Sequence, residues 1–198
     1  MRRALLLLAI LGLAGCSLTG EDGGASIEVA ELEKLVLQPE DLPRSFMRFD
    51  EGRQIAADLP EGARADPARF GRQEGWKARY RRAGTVRTTG PLVIESKADL
   101  FDSSGGAEDD FDAARADTDE SEPEWQPIGE PGLGEESFAA TLLQGAETSG
   151  IRIYQVVWRE NNAVASLNVN GFARGLALED ALELARAQER RMETVAES

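Results

Sequence analysis

The stretch that decides the fold is Ile151-Arg-Ile-Tyr-Gln-Val-Val-Trp-Arg-Glu-Asn-Asn-Ala-Val-Ala-Ser-Leu-Asn-Val-Asn170, which predicts a β-hairpin. Asn161 and Asn162 favour a tight turn, because asparagine tolerates the positive φ that such turns demand. In the return strand, apolar residues at alternate positions predict one buried face, and polar residues between them predict one wet face. The outgoing strand is apolar on both faces, which favours a place inside a sheet.

Segments on either side of this hairpin predict further strands and helices. Strands are predicted at residues 70–82, 85–100 and 137–143, the first because Trp76, Ala78 and Tyr80 alternate with charged residues. Helices are predicted at residues 27–37 and 178–196, and another is predicted to begin at Ser103 or Ser104 as its N-cap. Residues 50–66 and 117–136 are interpreted as loops, and Phe46 and Phe49 as core caps from a loop or short strand.

This order of elements, β-β-α-β-β-β-α, predicts a single α+β domain over residues 27–198. We expect an antiparallel sheet of about five strands with helices packed on it. The length left after residues 1–15 suits one domain with a moderate core, and we expect a monomer.

The N-terminus has the features of an export signal. Arg2 and Arg3 precede an apolar run over residues 4–13, and the run closes on Leu13-Ala14-Gly15-Cys16. A helix over residues 4–15 would rise only about 18 Å. That is too short for a hydrocarbon core of roughly 30 Å. The pattern therefore predicts a signal peptide at residues 1–15.

The tetrapeptide resembles the lipobox of bacterial lipoproteins. The resemblance implies cleavage after Gly15 and lipid attachment to Cys16, the one cysteine of the chain, with residues 16–26 as a flexible linker. Two or three acyl chains would hold the protein durably on the outer face of the bacterial cytoplasmic membrane. Ser17 after the cysteine allows onward transport where an outer membrane exists. The alternative is an ordinary signal peptide with a chance cysteine.

Composition excludes several functional classes. The chain carries 36 acidic and 22 basic residues, a formal net charge of −14, which disfavours binding to nucleic acid. It contains no histidine, so His-based nucleophile activation and His metal ligands are excluded. No phosphate-binding loop, dinucleotide-binding motif or serine-hydrolase motif is present. We expect no cofactor, no metal site and no catalytic residues.

Two regions are candidates for ligand binding. Lys77, Arg79 and Arg81 lie on one face of a predicted strand, about 6.6 Å apart, as a rail for an anionic ligand. Pairing of these cations with Glu95 and neighbouring acids across strands is the alternative. In the long 117–136 loop, Trp125 and Leu133 are candidate apolar anchors for an envelope protein partner.

A second resemblance covers about residues 30–195. The run Leu37-Gln-Pro-Glu-Asp-Leu-Pro43, Leu100-Phe101 before an Ala-containing helix, Gly132-Leu-Gly-Glu135 and the Val-Val-Trp-Arg hairpin resemble small secreted lipoproteins of actinobacterial type. Those are related in shape to extracellular sensor domains of kinases and to the PsbP/Mog1-like fold. Kinase sensor domains usually carry disulfides, and this chain has no cysteine left to form one.

The resemblance implies a non-enzymatic binding or accessory module of the cell envelope. Two alternatives remain at this point: a small carboxylate-dependent hydrolase of cell-wall carbohydrate, and a purely structural envelope protein. A concave pocket with paired acids of raised pKa would favour the hydrolase.

Overall fold

The computed structural model describes residues 26–59, 64–66, 68–121 and 124–198. Its strands are β1 Met47–Arg53, β2 Arg72–Arg81, β3 Val93–Phe101, β4 Gln126–Gly129, β5 Glu136–Gln144, β6 Ile151–Glu160 and β7 Ala163–Phe172. Its α-helices are α1 Ser104–Glu120 and α2 Leu178–Ala196, and 3₁₀ helices span Val29–Lys34, Pro39–Asp41 and Ala56–Asp58. The expected signal peptide, Cys16 and nearly all of the expected linker lie outside the described residues.

All seven strands form one sheet in the order β1-β2-β3-β7-β6-β5-β4, and every neighbouring pair is antiparallel. The chain makes two meanders, β1 to β3 and β4 to β7, and α1 connects them. The β3–β7 pair joins the meanders in the middle of the sheet. The predicted single-sheet α+β class is confirmed.

The predicted strand number, about five, is wrong, because β1 and β4 were interpreted as loop or short strand. Both are edge strands, and neither alternates between buried and exposed residues as a half-buried strand does. Strand β4 also contains Pro127, which edge strands tolerate. Residues 85–92, predicted as strand, form the connection between β2 and β3 instead. The hairpin of β6 and β7 is confirmed, with Asn161 at φ 53°.

The helix predicted at residues 27–37 is only a short 3₁₀ helix, Val29–Lys34. Leu35, Val36 and Leu37 follow it, and all three are fully buried. Three consecutive buried residues do not fit a helix with one wet face, so this segment inserts its backbone into the core. There the Leu37 N–H donates to Ser96 Oγ (2.9 Å), and the Leu37 carbonyl accepts from the Tyr80 hydroxyl (2.7 Å).

The two α-helices cover opposite faces of the sheet. Helix α2 and the N-terminal segment pack on the face that carries Tyr80, Ile94, Val156 and Leu167. Helix α1 packs on the other face, but only near one end of the sheet, over the cluster of Phe101, Phe111, Phe138, Val157 and Val164. The remainder of that second face carries polar and charged side chains, and the candidate site lies there.

Candidate ligand-binding cleft

A layer of paired charges covers the β1–β2–β3 part of the second face. Lys77 Nζ lies 2.8 Å from both carboxylate oxygens of Asp58 and 3.0 Å from Asp50 Oδ2. Asp58 ends the 3₁₀ helix Ala56–Asp58, and both Asp58 and Lys77 are buried. The β1–β2 connection therefore supplies the carboxylate that makes burial of the lysine tolerable.

Arg79 extends this layer towards the middle of the sheet. Its Nη1 lies 2.9 Å from Asp50 Oδ2, its Nη2 lies 3.0 Å from Asp58 Oδ1, and its Nε donates to Glu95. Lys97 Nζ lies 3.0 Å from Glu95 Oε1. We call these six side chains the ionic layer: Asp50, Asp58, Lys77, Arg79, Glu95 and Lys97. It contains three cations and three carboxylates, so its formal charges balance.

The cations of the ionic layer keep its carboxyl groups ionised. A hydrogen bond from Lys77 lowers the pKa of Asp50 below its ordinary value. Burial raises the pKa of Glu95, but the charges and hydrogen bonds of Lys97 and Arg79 outweigh it, and the net pKa is lowered. Burial also raises the pKa of Asp58, but the hydrogen bonds from the Ile55 N–H and from Lys77 outweigh it, and the net pKa is lowered.

Beside the ionic layer, the same face forms an open cleft of about 530 Å³. Its floor consists of two rows across strands β3, β7 and β6. One row is Glu95, Asn168 and Gln155, and the next is Val93, Asn170 and Ile153. Arg79 borders the floor on β2, and Phe49 and Trp125 also line the cleft. Its volume is within the range of small-molecule sites.

Three carboxamide side chains in this floor have no partner among the described residues. Those of Gln155, Asn168 and Asn170 make no hydrogen bond to the described part of the chain, and all three are half-buried. Each carboxamide presents two N–H donors and one carbonyl acceptor. The floor therefore offers a ligand donors and acceptors that the fold itself does not use.

The structure places the residues predicted for ligand contact in different surroundings. Arg79 and Trp125 line the cleft. Lys77 is buried inside the ionic layer, and Arg81 is exposed with its guanidinium 5.2 Å from the centre of the Phe49 ring. Leu133 is only 3 % exposed and belongs to the core of the opposite face. We therefore leave Lys77 and Leu133 out of the candidate site, because neither can reach a ligand.

Sequence reasoning did not select the amides or Phe49 for the site. Asn168 and Asn170 were assigned correctly to the wet face of the return strand, and that alternation was the available signal. The alternation could not show which strand pairs with β7. Glu95 and Val93 come opposite these asparagines only because β7 pairs with β3, about seventy residues away in the chain.

Among the described residues, three carboxyl groups have a raised pKa, and all three lie outside the cleft. Burial raises the pKa of Asp99, although Arg72 donates to that carboxylate (2.6 Å). Burial also raises the pKa of Asp117 on α1 and of Glu160 at the β6–β7 turn. None of the three lines the cleft. Glu95, the one carboxylate among the described residues of the lining, has a lowered pKa and two cationic partners.

The described residues contain neither a cluster of metal ligands nor a helix suited to crossing a membrane. No three His, Cys, Asp or Glu side chains of that part of the chain are placed to hold a metal ion. Of the helices described, none has both the length and the apolarity needed to cross a membrane.

Comparison with known proteins yields a structural likeness only. No family model and no curated protein sequence matches the chain. Among solved structures, the chain is similar to the extracellular domain of PknH from Mycobacterium tuberculosis, with a TM-score of 0.63 and 12% sequence identity. The match covers 88% of this chain and 100% of that one. The two share a fold, and at this identity the likeness carries no residue roles.

Proposed function

We propose that this chain is an extracytoplasmic, non-enzymatic binding module, anchored to a bacterial membrane by lipid on Cys16. The N-terminal sequence supports the anchor, since a basic, then apolar, then Leu-Ala-Gly-Cys pattern resembles a lipoprotein signal. The likeness to a domain described as extracellular supports the location.

The observation that carries binding is the cleft on the sheet face. Unused donors and acceptors on Gln155, Asn168 and Asn170 line the same cleft as Arg79 and Trp125. A concave surface with a few convergent polar groups and aromatic side chains is typical of ligand sites. The ionic layer holds the β1 side of the cleft in place, so the site is largely formed before a ligand arrives.

The cleft is poorly suited to carboxylate-based hydrolysis. A glycosidase needs one carboxylic acid with a raised pKa to protonate the leaving group, and a second carboxylate facing it. Glu95 has a lowered pKa, and both Arg79 and Lys97 bind its carboxylate. This chemistry favours binding over hydrolysis.

The position of the N-terminal segment fits an anchored module. The Ile27 backbone is hydrogen-bonded to the side chain of Asn162, at the β6–β7 turn. Asn170 in the cleft floor is seven residues further along β7 from Ala163, about 23 Å away. The N-terminal segment therefore joins the domain at the β6–β7 turn, whereas the cleft lies towards the opposite end of these strands. In this arrangement an anchor at the N-terminus does not block access of a ligand to the cleft.

A retention experiment tests the proposal. The full-length protein, held in a detergent without a sugar headgroup, is incubated with the small-molecule fraction of a cell-envelope digest, and retained compounds are identified by mass spectrometry. We expect a compound that the wild type retains and Trp125→Ala does not. Ile128→Ala is the matched control, since Ile128 is also an exposed apolar residue and lies outside the cleft. Equal retention by Trp125→Ala, or no retained compound, contradicts the proposal.

A further inference from the structure

We infer that the ligand of the cleft is an uncharged saccharide. This inference rests on the proposed binding function and adds the chemical class of the ligand. It is carried by three features of the lining: balanced charge, unused carboxamides and exposed aromatic rings.

Charge balance argues against an anionic ligand. All three guanidinium nitrogens of Arg79 already contact carboxylates, of Glu95, Asp50 and Asp58. Lys77 and Lys97 are paired in the same layer. Arg79 is the cation of the described cleft lining and is fully paired, while Arg81, which stacks on Phe49, lies outside that lining. An anion entering the cleft would therefore have to compete with Glu95 for Arg79. A neutral ligand avoids this cost.

The carboxamides match the hydroxyl groups of a sugar. A hydroxyl donates one hydrogen bond and accepts others, and a carboxamide also does both. Gln155 and Asn168 are direct cross-strand partners, and Asn170 lies on the same face about 6.6 Å further along β7. This spacing suits contacts to hydroxyls on one sugar ring or on two adjoining rings.

The aromatic lining supplies the apolar contact that a saccharide needs. Phe49 is 47% exposed, and Trp125 is half-buried, so each offers ring surface to the cleft. Sugar rings carry faces of C–H groups that pack against aromatic rings, while the indole N–H of tryptophan remains available for a polar contact. Val93 and Ile153 add further apolar surface to the floor.

An extended peptide fits the floor less well. Strands β3, β7 and β6 are interior strands, each paired on both sides. Their backbone donors and acceptors are consumed in the sheet, so a peptide cannot add to these strands by main-chain pairing. For hydrogen bonds in the floor, it would have to rely on the side chains and not on the main chain.

Fluorescence titration tests the inference on the full-length protein in the same sugar-free detergent. Trp158 is fully buried, and Trp76 packs against the core of the opposite face, so a ligand in the cleft changes the emission of Trp125. The probes are neutral oligosaccharides (cellobiose, maltotriose, mannobiose, galactobiose and N,N′-diacetylchitobiose). Digalacturonic acid serves as the anionic counterpart of galactobiose, and trialanine as the peptide.

We expect at least one neutral sugar to change the emission in a saturable way. Asn168→Leu should raise its Kd about tenfold or more, because a sugar hydroxyl then faces an apolar group. Asn168→Asp is a second variant of nearly the same shape that removes the donors, in case the leucine variant does not fold. The matched control is Gln144→Leu, an exposed amide outside the cleft lining, which should leave the Kd unchanged.

Three outcomes overturn the inference. They are binding of digalacturonic acid or trialanine without any neutral sugar, unchanged sugar affinity in both Asn168 variants, and no binding of any sugar. A non-sugar compound retained from the envelope digest in a Trp125-dependent way would overturn the ligand class and leave the binding function in place.

Discussion

Two adjacent asparagines have different roles at the β6–β7 turn. Asn161 adopts a positive φ and makes the turn, and its backbone N–H donates to Glu135 (3.2 Å). The side chain of Asn162 is buried, accepts from the Ile27 N–H (2.8 Å), and donates to the carbonyls of Ile27 (3.1 Å) and Phe101 (3.0 Å). It therefore fastens the N-terminal segment to the sheet.

Asn162→Ala should destabilise the fold by about 2–3 kcal/mol, because two carbonyls and one N–H lose their partner in a buried place. Chemical denaturation measures this, and hydrogen exchange should show faster opening of residues 27–37. Asn161→Gly is the control and should change stability by less than about 0.5 kcal/mol, since glycine adopts positive φ freely. Equal effects of the two substitutions would contradict the separate roles.

The buried Lys77–Asp58 pair gives a second prediction. Asp58→Asn should cost about 3 kcal/mol, because it removes a charge partner from a buried lysine. Glu147→Gln breaks the Arg152–Glu147 pair, whose carboxylate is 69% exposed, and should cost less than about 1 kcal/mol. The free energy of unfolding in urea distinguishes the two. A loss in Asp58→Asn no larger than in Glu147→Gln would show that the ionic layer does not stabilise the fold.

The same carboxyl groups predict a pH dependence. The folded-state pKa values of Asp50, Asp58 and Glu95 lie below their ordinary values. Their ionisation therefore stabilises the protein above pH 4 to 5, and this contribution is lost as pH falls through the folded pKa values. Urea denaturation between pH 7 and pH 3 should show falling stability for the wild type and a shallower fall for Asp58→Asn. A parallel fall in both proteins would contradict this origin.

Residue patterns predicted orientations in the ionic layer and one of the pairings, but not the others. Alternation placed Lys77, Arg79 and Arg81 on one face of a strand, and Glu95 was named as a candidate partner, which Arg79 does contact. Asp58 was not found, because it lies in a stretch interpreted as loop. Ion pairs between distant segments depend on the tertiary fold, and the periodicity of a single segment does not predict them.

At the scale of elements, a buried hydrogen-bond chain fixes α2 on the sheet. Ser96 on β3 donates to Gln188 Oε1 (2.7 Å), and Gln188 Nε2 donates to the Lys97 carbonyl (2.9 Å). Ser96 also accepts from the Leu37 N–H. Gln188 and Ser96 are both fully buried, so water does not readily replace a missing hydrogen-bond partner there.

Gln188→Ala should therefore cost about 2–3 kcal/mol, through a small cavity and an unpaired Ser96 hydroxyl. Glu183→Ala, at an exposed position of the same helix, should change stability by less than about 0.5 kcal/mol. Thermal and urea unfolding give the comparison. In a double-mutant cycle, Ser96→Ala and Gln188→Ala should not be additive, and strict additivity would contradict the network.

Elements with a clear apolar period were predicted well. The pattern of residues 178–196 predicted α2, the alternation in residues 70–82 and 163–170 predicted β2 and β7, and the apolar run of residues 151–159 predicted β6. The elements that were missed, β1 and β4, lie at the sheet edges, where one face or both meet solvent and the apolar signal is weak. The N-terminal segment was predicted as a helix because its buried residues fit helical spacing, although a short 3₁₀ helix and the bend that follows it bury them instead.

At the scale of the whole molecule, the proposed attachment to a membrane depends on the sulfur atom of Cys16. Cys16→Ala should abolish lipid attachment and move the protein from the detergent phase to the aqueous phase in a phase-separation assay, or leave an uncleaved precursor. Ser17→Ala is the control and should remain in the detergent phase. Unchanged partitioning of Cys16→Ala, or a free thiol on Cys16 in mass spectrometry of the wild type, would contradict the lipoprotein assignment.

The uneven cover of the sheet explains why a cleft exists. Helix α2 and the N-terminal segment cover one face, while α1 covers only the end of the other that holds Phe101 and Val164. The open part of that face is polar, and ion pairs satisfy its β1 side but not its β6–β7 side. Binding at the unsatisfied side is the central claim.

The most direct test is the NMR spectrum of the side-chain NH₂ groups, recorded on the full-length protein with and without envelope digest. The account predicts shifts of the Gln155, Asn168 and Asn170 NH₂ signals and of the Trp125 indole N–H, with the Gln144 NH₂ signal unchanged. Shifts confined to residues outside the cleft, or no shifts at saturating digest, would contradict it.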